Sequence, residues 1–261
     1  MSAADRAGDP LAPFLARPER SGVVTDFDGT LAPIVEDPAV SRPLPGAVDV
    51  LHRLADRYAV VAVVSGRPVA FLAEHLGMAG GGRLVLAGLY GLERVDGGAP
   101  STAPGVEAWR PVVAEVAALA EATAPPGLRV ERKGLSVAVH YRGEPALQEW
   151  AEAFARRQAA RTGLARHPAR MSQELRPPLP VDKGSVVAGL VAGLDAACFV
   201  GDDQGDLPAF AALDELRRTP GRHALKVAVR STEAPPALLA AADLLVDGPE
   251  GALALLRQLV G

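Results

Sequence analysis

The sequence predicts an α/β fold, a parallel sheet with helices on both faces, carrying a smaller inserted α+β unit. Three observations predict it. Short Val-rich runs alternate with stretches of helical period, that alternation breaks over residues 101–180 and then resumes, and polar or acidic loops follow several of the apolar runs.

Residues 1–20 hold Pro10, Pro13 and Pro18 and no continuous apolar core. They read as a flexible N-terminal arm, neither a secretory signal nor a membrane span. The first strand, Val23-Val24-Thr25, runs into Asp26-Phe27-Asp28-Gly29-Thr30-Leu31. Side chains alternate along a strand, so Asp26 and Asp28 leave its end on one side, where two like charges need a cation or a proton between them. Val48, Leu51 and Leu54 mark a helix over 45–57, and residues 58–64 form a fully apolar strand, completing a βαβ unit buried on both faces. Ser65-Gly66-Arg67-Pro68 should open the next helix with Pro just inside its start, and residues 84–87 are another strand.

After Asp96-Gly97-Gly98-Ala99-Pro100 the texture changes. A long amphipathic helix is expected over 106–124, short alternating strands over 128–132 and 135–141 around Lys133-Gly134, and a helix over 145–161. One or two strands follow within 166–174, and Arg176-Pro177-Pro178-Leu179-Pro180 looks like a linker back. The α/β alternation then resumes with a helix over 183–194, strand 198–200, helix 204–213, strand 225–229, a helix near Ala237, strand 244–246 and a last helix from Gly251. The expected division is therefore an arm over 1–20, a core from 21–100 and 181–261, and an inserted unit over 101–180.

A chain of 261 residues with 49% apolar and 22% charged residues can bury a large core without disulfides. Its net charge of −4 offers no basic excess for nucleic acid or anionic lipid, which points to a small-molecule partner. The single cysteine, Cys198, stands in an apolar run and reads as a buried, inert thiol. These features set the expectation of a cytoplasmic monomer. Lysine is rare among the 27 basic residues, at Lys133, Lys183 and Lys226 only, so a lysine at a given position can reflect a need for its compact charge.

Four loops carry the chemistry. Asp26 and Asp28 follow the first strand. Ser65 and Gly66 follow the second, where a hydroxyl and close backbone approach suit a phosphate. Lys183 opens a helix after the linker, an ammonium fit to neutralise a transferring phosphoryl group. Gly201-Asp202-Asp203-Gln204-Gly205-Asp206 follows the strand at 198–200 and clusters carboxylates where a hard cation such as Mg²⁺ would offset them. An EF-hand is excluded because no glutamate stands at the twelfth loop position, and a P-loop is absent.

Taken in this order, the four loops resemble the haloacid dehalogenase superfamily of phosphotransferases. Asp26-Phe27-Asp28-Gly29-Thr30-Leu31 matches its first motif, Ser65 its second, Lys183 its third and Gly201-Asp202-Asp203-Gln204-Gly205-Asp206 its fourth. The resemblance runs from about Gly22 to the C-terminus and implies a Rossmann-like core with a cap over 101–180. Within that superfamily the chain most resembles the trehalose-6-phosphate phosphatases, through Val64-Ser65-Gly66-Arg67, Gly88-Leu89-Tyr90-Gly91-Leu92-Glu93, Glu131-Arg132-Lys133-Gly134, the run to Val139-His140-Tyr141-Arg142, and Glu174-Leu175-Arg176-Pro177. That family often has His where Tyr90 stands.

The resemblance implies a Mg²⁺-dependent hydrolysis of trehalose 6-phosphate through an aspartyl-phosphate. Asp26 becomes the nucleophile, Asp28 the general acid and base, and Ser65 and Lys183 the binders of phosphoryl oxygens. The metal is assigned to Asp26, the backbone carbonyl of Asp28 and Asp202, with Asp203 a ligand or a neighbour of one and Asp206 orienting Lys183. Gly66 joins the substrate site, Glu131, Lys133 and Glu174 take the glucose hydroxyls, and Arg67 and Arg142 stand near the phosphate or sugar. His140 is expected to be packed or hydrogen-bonded. Rival readings are a phosphatase for another sugar phosphate or a pseudo-disaccharide phosphate, and a non-catalytic sugar-phosphate binding protein. Neither nucleic acid nor membrane is an expected partner.

Overall fold

The computed structural model describes residues 8–35, 37–78, 82–169 and 171–261. The chain divides into two compact units, one of Met1–Ser101 with Val181–Gly261 and the other of Thr102–Pro180.

The larger unit is built on β1 (Ser21–Thr25), β2 (Val60–Val64), β3 (Leu84–Gly88), β4 (Glu93–Asp96) and β5 (Ala99–Thr102), joined after the insertion by β10 (Ala196–Gly201), β11 (His223–Arg230) and β12 (Leu244–Asp247). Their order is β12-β11-β10-β1-β2-β3-β4-β5. β1 lies between β2 and β10 and runs parallel to both, with Val24 opposite Ala62 on one side and Phe199 on the other. β4 turns back antiparallel to β3. The Val-rich strands are buried throughout because helices cover both faces, as parallel sheets require.

One face is covered by α2 (Ala47–Arg57), α3 (Val69–His75) and α9 (Gly248–Val260). Leu51, Leu54, Leu72, Leu76, Leu256 and Leu259 interleave there with Val23, Val61, Cys198 and Val227. α6 (Lys183–Val191), α7 (Leu207–Arg217) and α8 (Pro236–Ala241) cover the other, packing Val187, Phe210, Leu213 and Leu238 on Val24, Ala62 and Phe199. Cys198 is buried, and that burial pushes its thiol up to about 12, keeping it unreactive. Among the described residues no helix is long and apolar enough to cross a membrane.

The smaller unit is a four-stranded sheet in the order β6-β7-β9-β8, from β6 (Arg129–Arg132), β7 (Val137–His140), β8 (Ala165–Ala169) and β9 (Ser172–Arg176). α4 (Arg110–Thr123) and α5 (Gln148–Thr162) pack on its apolar face through Val116, Ala120 and Phe154 against Val137, Val139 and Leu175. Glu131, Ala138, Glu174 and His167 stand opposite one another across the four strands, so they share one face.

Several elements differ from expectation. Residues 8–20 do not form a free arm: α1 (Ala12–Ala16) buries Phe14 completely, with its ring edge-on to His223. The rest of the expected arm, residues 1–7, lies outside the described residues. Pro68 is the N-cap of α3 rather than its first helical residue, and the Val69 N–H donates to Glu93 Oε2 at 2.8 Å. The helix expected over 106–124 begins as a separate 3₁₀ turn, Val106–Trp109, before Pro111 enters α4 near its start, where its missing N–H costs nothing. β4 and β5 escaped notice because Gly97-Gly98 separates them, β4 is mostly polar and half-buried, and β5 is exposed along its whole length, so neither carries an apolar pattern.

Candidate active site

Between β1 and β10 the chain order reverses direction across the sheet, the position where open α/β sheets bind ligands beyond the strand ends. The Asp26 N–H donates to Val200 O at 2.8 Å, so the two acidic loops leave side by side. Asp26, Asp202 and Asp206 are all at most 5% exposed. Lys183 joins them from α6, whose start is fixed by Asp182 accepting from the Ser185 N–H at 2.8 Å in a capping box. A cation in the first helical turn opposes the helix dipole. Two carboxylates outweigh that cost: Lys183 Nζ lies 2.9 Å from Asp26 Oδ2 and 2.6 Å from Asp206 Oδ1.

Both oxygens of Asp206 are engaged, because its Oδ2 also accepts from the Asp202 and Asp203 N–H groups at 2.9 and 3.0 Å. One carboxylate oxygen each of Asp26, Asp203 and Asp206 lie within 4.8 Å of one another, a grouping that could hold a divalent ion. Since Asp206 is committed to Lys183 and the backbone, Asp26 and Asp203 are the better placed of the three. Asp202 reaches across to the first loop. Gly29 has φ +76°, and a Cβ there would overlap the Asp202 carboxylate, so only glycine suits both the turn and the close approach.

Burial pushes the Asp26 carboxyl well above the ordinary range; Lys183 pulls it down, while Asp206, Asp202 and Asp203 push it further up. Burial likewise raises Asp206. Burial draws the Lys183 ammonium down, but Asp206 and Asp26 more than offset this and hold it charged, well above the usual lysine value. Three carboxylates, Asp206, Asp26 and Asp203, thus act on one ammonium, and Asp202 adds its charge beside Asp26. Hard oxygen donors with surplus negative charge at the end of a buried strand fit a small dication.

Asp28 faces a different partner. Its side chain is 32% exposed and accepts from Arg67 Nε at 2.6 Å and Arg67 Nη2 at 2.7 Å. Arg67, expected near the phosphate or sugar, thus stands beside Asp28 with its guanidinium paired to that carboxylate. Ser65, buried at the end of β2, has its N–H on Ala87 O at 2.9 Å and its Oγ accepting from the Arg67 N–H at 3.2 Å. Gly66 lies under the Tyr90 ring, whose Cζ and Oη would be 2.8 Å from a Cβ at that position. Leu89 and Tyr90 both hold left-handed φ angles, 49° and 61°, and donate to Arg67 O and Ser65 O at 2.9 Å. Such strain costs about 1–3 kcal/mol per residue and persists only where surroundings enforce it.

In the smaller unit, Lys133 Nζ lies 3.8 Å from Glu131 Oε2 and 3.6 Å from Glu174 Oε1. The Ser136 hydroxyl donates to Glu174 Oε1 at 2.6 Å, and His140 Nε2 is hydrogen-bonded to Glu131 Oε2 at 2.8 Å. Arg142 stands in the turn after β7. The predicted residues therefore gather in two groups, one in each unit.

Residues 24–243 match the family model described as trehalose-phosphatase. The chain belongs to the trehalose-phosphatase family. It is 34% identical over 226 residues to the trehalose-phosphate phosphatase of Mycobacterium bovis, a match covering 81% of this chain and 54% of that protein. The chain thus spans about half the length of the curated relatives it matches. Its fold is similar to the C-terminal domain of Candida albicans trehalose-6-phosphate phosphatase, with a TM-score of 0.79 at 24% identity over 96% of each chain. It is also similar to a haloacid dehalogenase-like hydrolase from Bacteroides thetaiotaomicron, with a TM-score of 0.60 at 17% identity over 91% of this chain and 98% of that one. The core is that of the haloacid dehalogenase fold.

Sequence reasoning missed Ser41, a fully buried hydroxyl that donates to Asp28 Oδ1 at 2.9 Å. No motif marks it: it sits in a proline-rich loop, and its partner is chosen by the path of that loop in space.

Proposed function

We propose that the chain hydrolyses trehalose 6-phosphate to trehalose and phosphate, using Mg²⁺ and an aspartyl-phosphate on Asp26. The observation that carries this reading is the buried meeting of Asp26, Lys183 and the Asp202–Asp206 loop at the reversal point of a trehalose-phosphatase family core.

In this reading an Asp26 oxygen attacks phosphorus as the bond to the sugar oxygen breaks, and Asp28 delivers a proton to that oxygen. Asp28, now a carboxylate, then takes a proton from the water that attacks the acyl-phosphate and releases inorganic phosphate. Ser65, Gly66 and Lys183 hold the remaining phosphoryl oxygens, and loss of one such contact costs about 10²–10³ in rate. Mg²⁺, held by Asp26, the Asp28 carbonyl, Asp202 and in part Asp203, would neutralise charge on the phosphoryl group. Asp206 keeps Lys183 in place.

Residues 102–180 serve as the cap. Glu131, Lys133 and Glu174, pre-set by His140 and Ser136, take the glucose hydroxyls, with Arg142 beside them, because a site built to hydrogen-bond hydroxyls rejects analogues that lack them. The protein works as a cytoplasmic monomer, which light scattering on the purified chain checks.

Phosphate release from a panel of sugar phosphates, with and without magnesium, tests the reading. Trehalose 6-phosphate should lead the panel and depend on the metal; turnover no faster than that of glucose 6-phosphate overturns the substrate. Asp26→Asn should abolish turnover while sugar-phosphate binding by calorimetry survives, and normal activity in that variant removes Asp26 as nucleophile.

A further inference from the structure

Asp28 is held by more than its strand. Its Oδ1 accepts two hydrogen bonds, from Arg67 Nη2 at 2.7 Å and Ser41 Oγ at 2.9 Å, while Oδ2 accepts one, from Arg67 Nε at 2.6 Å. A carboxylate oxygen offers about two lone-pair directions. Oδ1 is filled, and Oδ2 keeps one direction open.

The holders are themselves fixed. Arg67 Nη1 donates to Pro38 O at 2.7 Å, and its guanidinium lies 4.5 Å from the centre of the Phe71 ring, a cation–π contact. Phe71 in turn meets edge-on the ring of Phe27, the residue between the two aspartates, at 5.7 Å. Ser41 follows a 3₁₀ turn, Pro38–Val40, whose start is capped by Asp37 accepting from the Ala39 N–H at 2.9 Å. Arg42 braces the same loop by donating to Ser41 O and Ala39 O at 2.8 and 2.9 Å. A bidentate guanidinium with a third donor locks both rotation and tilt of a carboxylate, which one hydrogen bond cannot do.

We propose that Ser41 and Arg67 are positioning residues for Asp28: they leave Oδ2 as the oxygen that exchanges protons with the departing sugar oxygen and later with water, and neither contacts the sugar. This rests on the phosphatase reading above. In the first step the Oδ2 proton passes to the ester oxygen as that oxygen takes the electron pair of the broken P–O bond. In the second the same oxygen accepts a proton from the attacking water.

The test compares two leaving groups. p-Nitrophenolate departs without a proton, whereas a sugar alkoxide needs one, and kcat/KM reports every step up to leaving-group departure. In Ser41→Ala, kcat/KM for trehalose 6-phosphate should fall roughly ten-fold and in Arg67→Ala at least about a hundred-fold, with p-nitrophenyl phosphate losing less than about three-fold in each. Ser41→Thr, which keeps the hydroxyl, should recover most of the loss, and added guanidinium should partly rescue Arg67→Ala. If Arg67→Ala does not fold, Ser41→Ala against Ser41→Thr decides. Equal losses on the two esters would make these residues phosphate binders or general scaffolding and overturn the proposal, as would no loss on either. A wild-type chain that hydrolyses no phosphate ester would remove the phosphatase reading instead.

Discussion

At the scale of single residues, Lys183 carries the most conflicting demands. It is buried, it opens a helix against the dipole, and it stands between two carboxyl groups that burial pushes upward. Removing one member of a buried charge network leaves the others unpaired, which costs about 3–5 kcal/mol. Lys183→Met should therefore destabilise the chain by that order in urea unfolding, and adding Asp206→Asn should return part of the loss. Strict additivity of the two substitutions would show that the ammonium and Asp206 do not interact energetically, contrary to their 2.6 Å approach.

At the scale of elements, the sheet of the smaller unit separates two chemistries. One face packs apolar side chains on α4 and α5, and the other lines up Glu131, Glu174 and His167. His167 is lowered to about 4, chiefly by burial and next by Arg176, with Glu174 opposing both. The folded state therefore binds fewer protons than the unfolded chain between about pH 6.5 and 4, and stability falls as pH drops through that window. Because the ring is only half buried, the loss is about 1–2 kcal/mol after solvent screening. Melting temperatures over this range should decline less steeply in His167→Gln than in wild type; parallel curves would contradict the assignment.

At the scale of the whole molecule, a net charge of −4 is unremarkable, but its concentration around one ammonium at the strand ends is not. A cation that binds only the folded state stabilises it by about 2.7 kcal/mol at a hundred times its dissociation constant. For a domain of this size that amounts to several degrees in melting temperature. Magnesium should raise the melting temperature of wild type, and Asp202→Asn should shrink the rise. A melting temperature indifferent to magnesium would argue that the acidic loops are stabilised by their own hydrogen bonds alone.

The sequence by itself determined the alternation of strands and helices, the interruption by a second unit, and the placing of acidic residues at the ends of β1 and β10. These are local properties: apolar period, turn residues and capping act over a few neighbours and survive in any context. Tertiary structure alone decided partners. Arg67 pairs with Asp28, donates to Pro38 O and lies over the Phe71 ring, partners that its motif does not announce. Ser41, Phe14 and the strained Leu89-Tyr90 turn were likewise invisible, since a buried hydroxyl, a docked ring or an enforced backbone angle takes its meaning from groups distant in the chain. Periodicity is written along the chain, whereas the pairing of charges follows from which loops the packed sheet brings within reach.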